Sequence, residues 1–494
     1  MPQRKRTRDD LPIPRHSVPP HPIGVNPMGN ALMKEVTDRV DREKSLGQLR
    51  VLADGQLLNI VEMLDPTSLI ALSQCSRALY CFASDPEIWK RHVLNRFEGN
   101  FHLLHGSWKQ TYLSMSSSSV GKDEDLSSHT HIRVPLPLRV PFYSDALYAS
   151  WAAAHAPLPS SWLKPARHNA LPSLSAKGLT LSHFKEDFEV RGAPLIIRDA
   201  TTAWKAHRHW RREQWQEDFG QMQFACSGYD MTLSNFCHYL DSDVGDIAPL
   251  YLFDTRLPTL LKADYETPAY FQDNLWDISE GKEPPLLDSA WVIVGGARSF
   301  SGWHKDPNAS HAWNACIQGQ KKWLFFPPGH PPPGVMPSRD GSNVTSPISL
   351  IEWFHAFYEE AVASGLAQGG VQQPGDIVFV PRGWWHAVLN MTPTLCITQN
   401  YVAPSNLPHF LRFVRDRPES VSGLKEGMQA DEMLQVFEEY WGRKSSDGKA
   451  MLEDAWNRIG GRDGKAVAEA AAVLPAIFQE GRQSFQFSFG AGSG

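Results

Sequence analysis

No uninterrupted apolar run approaches the ~20 residues of a membrane-crossing helix, and the first residues lack the apolar core of a secretion signal. Cysteine is scarce. Six cysteines in 494 residues form no CxxC pair, too few and too scattered for a disulfide framework. That usage points to a reducing compartment in which the thiols are buried. Charge of one sign is also lacking. Lys and Arg number 48 against 54 Asp and Glu, a net charge of −6. A generally basic nucleic-acid binder is thereby excluded, and direct nucleic-acid binding is not indicated. No internal repeat is visible, so a repeat array is not expected.

What is present is length and aromatic residues. A chain of 494 residues allows two to four domains, with ample chain for a large core. The 17 tryptophans and 24 phenylalanines suggest an aromatic-rich β core. Residues 1–45 are rich in proline and poor in periodicity, and read as a disordered tail. Its run Arg4-Lys5-Arg6-Thr7-Arg8 reads as a nuclear-import signal, although a plain solvated tail fits as well. The nucleus is the expected location.

Residues 46–97 carry helical patterning. Leu57, Leu58, Ile60, Val61 and Leu64 recur at helical spacing, and Asp65-Pro66 ends one helix and opens the next. Asp85-Pro86-Glu87-Ile88-Trp89 opens a third. This order resembles an F-box, the module that docks on the Skp adaptor of cullin ubiquitin ligases. F-boxes usually open with a Leu-Pro pair, and here Leu52-Ala53 stands in its place. An ordinary three-helix cap is the plainer alternative.

Residues 114–131 are low in complexity and read as a flexible linker, and 132–175 as extended, irregular chain. From about residue 179 the pattern changes to two short helices, at 181–190 and 210–219, and then to short strands between glycine and proline signals. Such strands argue a barrel or sandwich. Gly319-Gln320, between two apolar strands, suits a tight hairpin. Residues 421–482 return to helical spacing, with stripes such as Met433, Phe437, Tyr440 and Trp441. These stripes read as core, covering a barrel end or pairing two copies of the chain. Residues 483–494 read as a disordered tail.

The chemistry gathers around His304-Lys305-Asp306 and, 80 residues further on, "GDIVFVPRGWWHAV", which contains His386. Positions i and i+2 of a strand share a face, so His304 and Asp306 can reach one ion. A third imidazole completes a facial set of two histidines and one carboxylate, which leaves open positions and suits non-heme Fe(II) oxygenases. Each element alone is weak, since His-x-Asp arises often by chance.

Together, "GWHKDPNASHAWNACIQGQKKWLFFPP" and "PGDIVFVPRGWWHAVLNMTPTLCITQNYV" resemble the JmjC family of Fe(II)/2-oxoglutarate oxygenases. Within it the sequence is similar to the lysyl-hydroxylase branch once called the phosphatidylserine receptor. The resemblance covers residues 140–420. It implies an α+β chain with a mainly β core: a double-stranded β-helix preceded by the F-box and followed by helices. It implies His304, Asp306 and His386 as iron ligands. It implies Lys321 and Thr398 on the distal carboxylate of 2-oxoglutarate, Asn314 near the chelating end, and Tyr251 and Ser301 as further contacts. Strand alternation alone does not choose between Lys321 and Lys322, because both faces are apolar; the family register chooses Lys321. Asn314, Tyr251 and Ser301 also fit plain structural roles. His311, His330 and His355 are not expected as ligands.

The implied cofactors are Fe(II), 2-oxoglutarate and O2. The implied reaction couples oxidative decarboxylation to succinate with hydroxylation of a protein C–H bond. A lysine side chain is the favoured target, with demethylation of histone lysine or arginine as the alternative. A different class of function is a ubiquitin-ligase adaptor whose JmjC fold only binds. A cupin-like structural protein would need the whole triad to be coincidence.

Overall fold

The computed structural model describes residues 18–33, 40–103, 107–118, 137–164, 169–242, 244–278, 286–339, 343–347 and 349–462. The basic run at residues 4–8, most of the 114–131 segment and the 483–494 tail lie outside these residues. The chain divides into two units, Met1–Ser160 with Arg212–Leu250, and Ser161–Arg211 with Tyr251–Gly494. Among the described residues no helix is long and apolar enough to cross a membrane.

In the first unit each Asp-Pro pair does what its chemistry dictates. Asp65 accepts from the backbone N–H groups of Thr67 and Ser68 and starts the Pro66–Cys75 helix. Asp85 accepts from Glu87 and Ile88 and starts Pro86–Phe97. Proline costs nothing at the first helical turn, where its missing N–H has no partner anyway. The unit holds four α-helices over 54–97 rather than three, because Ser76 caps a separate Arg77–Phe82 helix. Ala53 adopts φ −68°, the value proline would have fixed, and its N–H is taken up by Gln56 at 3.0 Å.

Two expectations fail in this unit. Residues 18–33, read as disordered, contain a strand, Val25–Asn26, that pairs in parallel with Phe142–Tyr143, and buried His21, Ile23 and Val25. Residues 145–155, read as irregular, form a helix capped by Ser144, and Trp108–Ser118 is helical into the expected linker. Proline and serine content obscured both. The segment Arg212–Leu250, expected within the oxygenase domain, belongs to this first unit.

The second unit is built on two sheets. The larger runs in the order Ser173–Ser175, Leu195–Arg198, Ile377–Val380, His311–Gln318, Thr394–Tyr401, Ala290–Gly295 and Tyr251–Asp254. The smaller, four-stranded sheet has the order Gln368–Gln372, Lys321–Phe326, Trp385–Asn390 and Phe300–His304. Their facing sides share one apolar core: Ile196, Ala312, Val378 and Val380 from the larger, and Trp323, Phe325 and Val388 from the smaller. Gly319-Gln320 is not a hairpin. The strands it joins lie in different sheets, and the turn carries the chain from one layer to the other. Gly319 has φ +81°, and a Cβ there would stand 2.1 Å from the Pro393 carbonyl oxygen, so glycine is required.

The helices Ala430–Lys444 and Ser446–Arg458 pack Met433, Phe437, Leu452 and Trp456 against Phe410, Leu411 and Val414 of the chain's own Leu407–Asp416 helix. The stripe read as core is packed within the unit.

Candidate active site

Strand register places the two histidines. His386 lies directly opposite His304 across the Trp385–Asn390 and Phe300–His304 pair, with ring centroids 4.1 Å apart. The strand ends at His304, and Asp306 follows in extended backbone (φ −62°, ψ 143°) before Pro307 opens a 3-10 turn. The i, i+2 relation therefore survives past the end of the strand. Asp306 Oδ1 is 4.0 Å from His386 Nε2, and one ligand atom from each of the three residues lies within 4.8 Å of the others.

Both imidazoles are held the same way. His304 Nδ1 donates to the Gly302 carbonyl at 2.7 Å, and His386 Nδ1 donates to the Trp384 carbonyl at 3.2 Å. Each bond puts the proton on Nδ1 and leaves the Nε2 lone pair free, the arrangement that orients a metal-binding imidazole. Trp323 and Phe325 stack on His386 at 6.1 and 5.8 Å with interplanar angles of 24° and 25°. Burial holds both histidines neutral, pushing each pKa down to about 4; His386 adds to the effect on His304. Burial pushes the Asp306 carboxyl up to about 6, against His304 and the Asn400 amide beside it. Asp306 Oδ2 is buried with no hydrogen-bond partner. Two neutral imidazole lone pairs and an orphaned carboxylate oxygen make the donor set a divalent cation needs, so these residues fit Fe(II).

Cross-strand pairing separates the two lysines. Phe325 opposes His386, Trp323 opposes Val388 and Lys321 opposes Asn390, so Lys321 shares the inner face with His386. Lys322 pairs with Leu389 on the other face. Lys321 Nζ donates to the Tyr251 hydroxyl at 3.2 Å, and both residues are buried. Among the described residues no carboxylate pairs with Lys321. Lys322 Nζ is buried without any partner, and burial lowers its pKa to about 8.

The remaining expected residues lie on facing inner surfaces. Asn314 opposes Thr398 in the larger sheet, and its Oδ1 is buried and unpartnered. The Thr398 hydroxyl donates to the Trp313 carbonyl at 2.9 Å, so its proton is already committed. Ser301 is half-buried opposite Val388. His311 accepts the Arg382 N–H on Nδ1, away from the triad. His330 and His355 are not among the clustered ligand atoms.

Sequence reasoning missed several neighbours. Asn390 donates to Ser299 Oγ at 2.7 Å and leaves its Oδ1 unpartnered, and Thr394 Oγ1 is buried and unpartnered too. Gly295 makes room for them, since a Cβ there would lie within 2.4–2.7 Å of Ser299 Oγ, Tyr251 Cε2 and Asn390 Nδ2. Alternation along the His386 strand was the available signal for Asn390, but its apolar neighbours hid it; alternation along the Thr398 strand does set Thr394, Cys396, Thr398 and Asn400 on one, more polar face. An open cleft of about 550 Å³ among Asp273, Asp277, Tyr440 and Trp441 contains none of these residues. Donor chemistry, rather than cavity volume, locates the site.

The family model described as "JmjC domain, hydroxylase" matches residues 291–401, and "F-box-like" matches 56–95. The chain is 34% identical over 415 residues to arginine-specific demethylase JMJ22 of Arabidopsis thaliana, covering 82% of this chain and 79% of that protein. It is 30% identical over 272 residues to the bifunctional arginine demethylase and lysyl-hydroxylase psr-1 of Caenorhabditis elegans, covering 51% and 67%. It is 34% identical over 164 residues to the 2-oxoglutarate and iron-dependent oxygenase JMJD4 of Danio rerio, covering 32% and 36%. With these matches and this donor set, the chain belongs to the JmjC family of 2-oxoglutarate- and iron-dependent oxygenases and carries an F-box-like module.

Proposed function

We propose that the chain hydroxylates a carbon of a basic protein side chain, lysyl hydroxylation first and removal of an N-methyl group from lysine or arginine second. Both outcomes begin with the same step, insertion of oxygen into a C–H bond near nitrogen. On an N-methyl carbon the product breaks down to formaldehyde; on a chain carbon it persists. The observation that carries this reading is the triad with its orphaned carboxylate oxygen, set on the same inner face as a buried lysine that meets no carboxylate among the described residues. A domain that only bound its target would have no use for either.

His304, Asp306 and His386 would hold Fe(II), which supplies O2 activation when bound. Lys321 and Tyr251 would receive the distal carboxylate of 2-oxoglutarate, because a buried ammonium is costly until an anion meets it. Asn314, with its free Oδ1, would face the chelating end. Trp323 and Phe325 keep His386 in place and keep water from the metal side. Lysyl hydroxylase and arginine demethylase both appear among the names of the related proteins, which supports a basic side chain as target and leaves the choice to experiment.

The F-box-like module would dock on a Skp-type adaptor. Val51 and Met63 expose 81% and 85% of their surface and Ile60 47%, apolar side chains available to a partner. The test uses purified chain with Fe(II), O2 and 2-oxoglutarate on lysine-rich and methylarginine histone peptides. Mass spectrometry should find a +16 product on lysine without formaldehyde. Formaldehyde and loss of methyl would establish demethylation instead, and modification of neither peptide would remove basic side chains as the target.

A further inference from the structure

We propose that Cys316 and Cys396 form a reversible dithiol–disulfide pair, oxidised by a hydroperoxide and shielded when 2-oxoglutarate fills the space beside Lys321. The two cysteines lie directly opposite each other on neighbouring antiparallel strands of the larger sheet. The backbone of Cys316 turns the other way: its N–H donates to Asp376 O at 3.1 Å, and its carbonyl accepts from Gly375 N at 2.9 Å. With respect to the Cys396 strand this is a pair without its own backbone hydrogen bonds. Such pairs bring Cα atoms to about 4.5 Å with side chains close together, within the ~4.4–6.8 Å span of a disulfide.

The two thiols have different roles. The hydrogen bond between the two thiols and then burial raise the Cys316 pKa, so Cys316 keeps its proton, and the Gln318 and Gly319 carbonyls at 3.3 and 3.4 Å from its Sγ are alternative acceptors for it. Burial raises the Cys396 pKa, but the hydrogen bond from Cys316 and the Lys321 charge outweigh that and lower it overall. Cys396 shares its strand face with Asn314's partner Thr398, the inner face that carries the cosubstrate contacts.

The Cys396 thiolate attacks a peroxide oxygen. The O–O bond breaks, water leaves after protonation, and a sulfenic acid forms. Cys316 then attacks that sulfur and displaces a second water. In sum two thiols and one H2O2 give one disulfide and two waters. Both side chains are fully buried, and the proposal takes the oxidant in by the inner face that Cys396 shares with Thr398. The shielding half of the proposal rests on the cosubstrate reading above; the bridge itself does not.

The full-length protein, stripped of metal by a chelator, is treated with H2O2, blocked with N-ethylmaleimide, digested without reduction and mapped by mass. The expected result is one linked peptide pair containing residues 316 and 396, two hydrogens lighter and separated by dithiothreitol. Cys316→Ala should instead trap Cys396 as a sulfenic acid that reacts with dimedone. Recovery of both as separate alkylated peptides, at peroxide levels that oxidise the exposed Cys75, would overturn the pair. In a second arm, with Mn(II) and 2-oxoglutarate at ten times its Kd, bridging should slow about tenfold, the fraction of empty sites. Binding is followed calorimetrically in the same sample. Measured binding with undiminished bridging overturns the shielding, whereas no binding with intact bridging overturns the cosubstrate reading instead.

Discussion

Lys90 in the first unit and Lys321 in the second are both buried cations, and their surroundings differ in one respect. Lys90 meets Asp246 at 3.0 Å and donates to the Ala248 carbonyl at 2.6 Å; Asp246 is tied in turn to Trp108 and Tyr239. Burial pulls the Lys90 pKa down, and Asp246 and Glu87 more than restore it. Lys321 has the Tyr251 phenol and the Cys316 and Cys396 thiols, the last an anion only when it gives up its proton, but no carboxylate among the described residues. A buried charge whose counter-charge is built into the chain is finished architecture. One left short of its counter-charge is waiting for an anion from solution. Lys322 is the third case, buried with no hydrogen-bond partner among the described residues.

The largest effect lies at the metal end of the Lys321 face. Asp306→Ala should abolish iron retention and cut turnover at least ~1,000-fold, several kcal/mol of lost metal assistance. Unchanged iron content by atomic absorption would break the assignment. Next is the Lys90 cluster. Asp246→Ala should cost ~3–5 kcal/mol in denaturant unfolding, the penalty of stranding a buried ammonium, with 2-oxoglutarate affinity unchanged. A small cost would show that Lys90 does not depend on that partner.

Lys321→Ala should raise the 2-oxoglutarate requirement roughly a hundredfold, the ~1.5–3 kcal/mol of a hydrogen bond to a charged group, and spare iron binding. If Lys322→Ala does this instead, the inner face has been misassigned. Lys322→Met should change stability rather than turnover, in the favourable direction, by roughly 2–3 kcal/mol near pH 7. The folded pKa of Lys322, about 8, lies below the unfolded 10.5, so the unfolded chain binds more protons between those values. Stability of the parent protein should therefore climb from pH 8 to 10.5, and that climb should be missing in Lys322→Met.

The triad was legible because its spacing is local: His304 and Asp306 are two residues apart, and His386 follows a strand signal. The choice of Lys321 was not legible from alternation, since Trp323 and Phe325 on one face and Leu324 and Phe326 on the other are equally apolar. Only pairing with His386 and Asn390 across the sheet resolves it. Thr398 shows a different limit. The resemblance names it as a cosubstrate contact, yet its proton goes to the Trp313 carbonyl, a bond no spacing reveals. The Gly319-Gln320 turn was misread because a hairpin and a crossover between sheets demand the same glycine. Residues 18–33 were misread because proline-rich composition says nothing of parallel pairing with a strand over a hundred residues away.

Conversion of 2-oxoglutarate to succinate by the purified chain with Fe(II) and O2, run beside Asp306→Ala, first without substrate and then with a nuclear extract, is the most direct measurement. Succinate that depends on Asp306 and rises with extract is the predicted result. No succinate in either condition, from protein that holds its iron, would contradict it and leave an adaptor whose JmjC domain only binds.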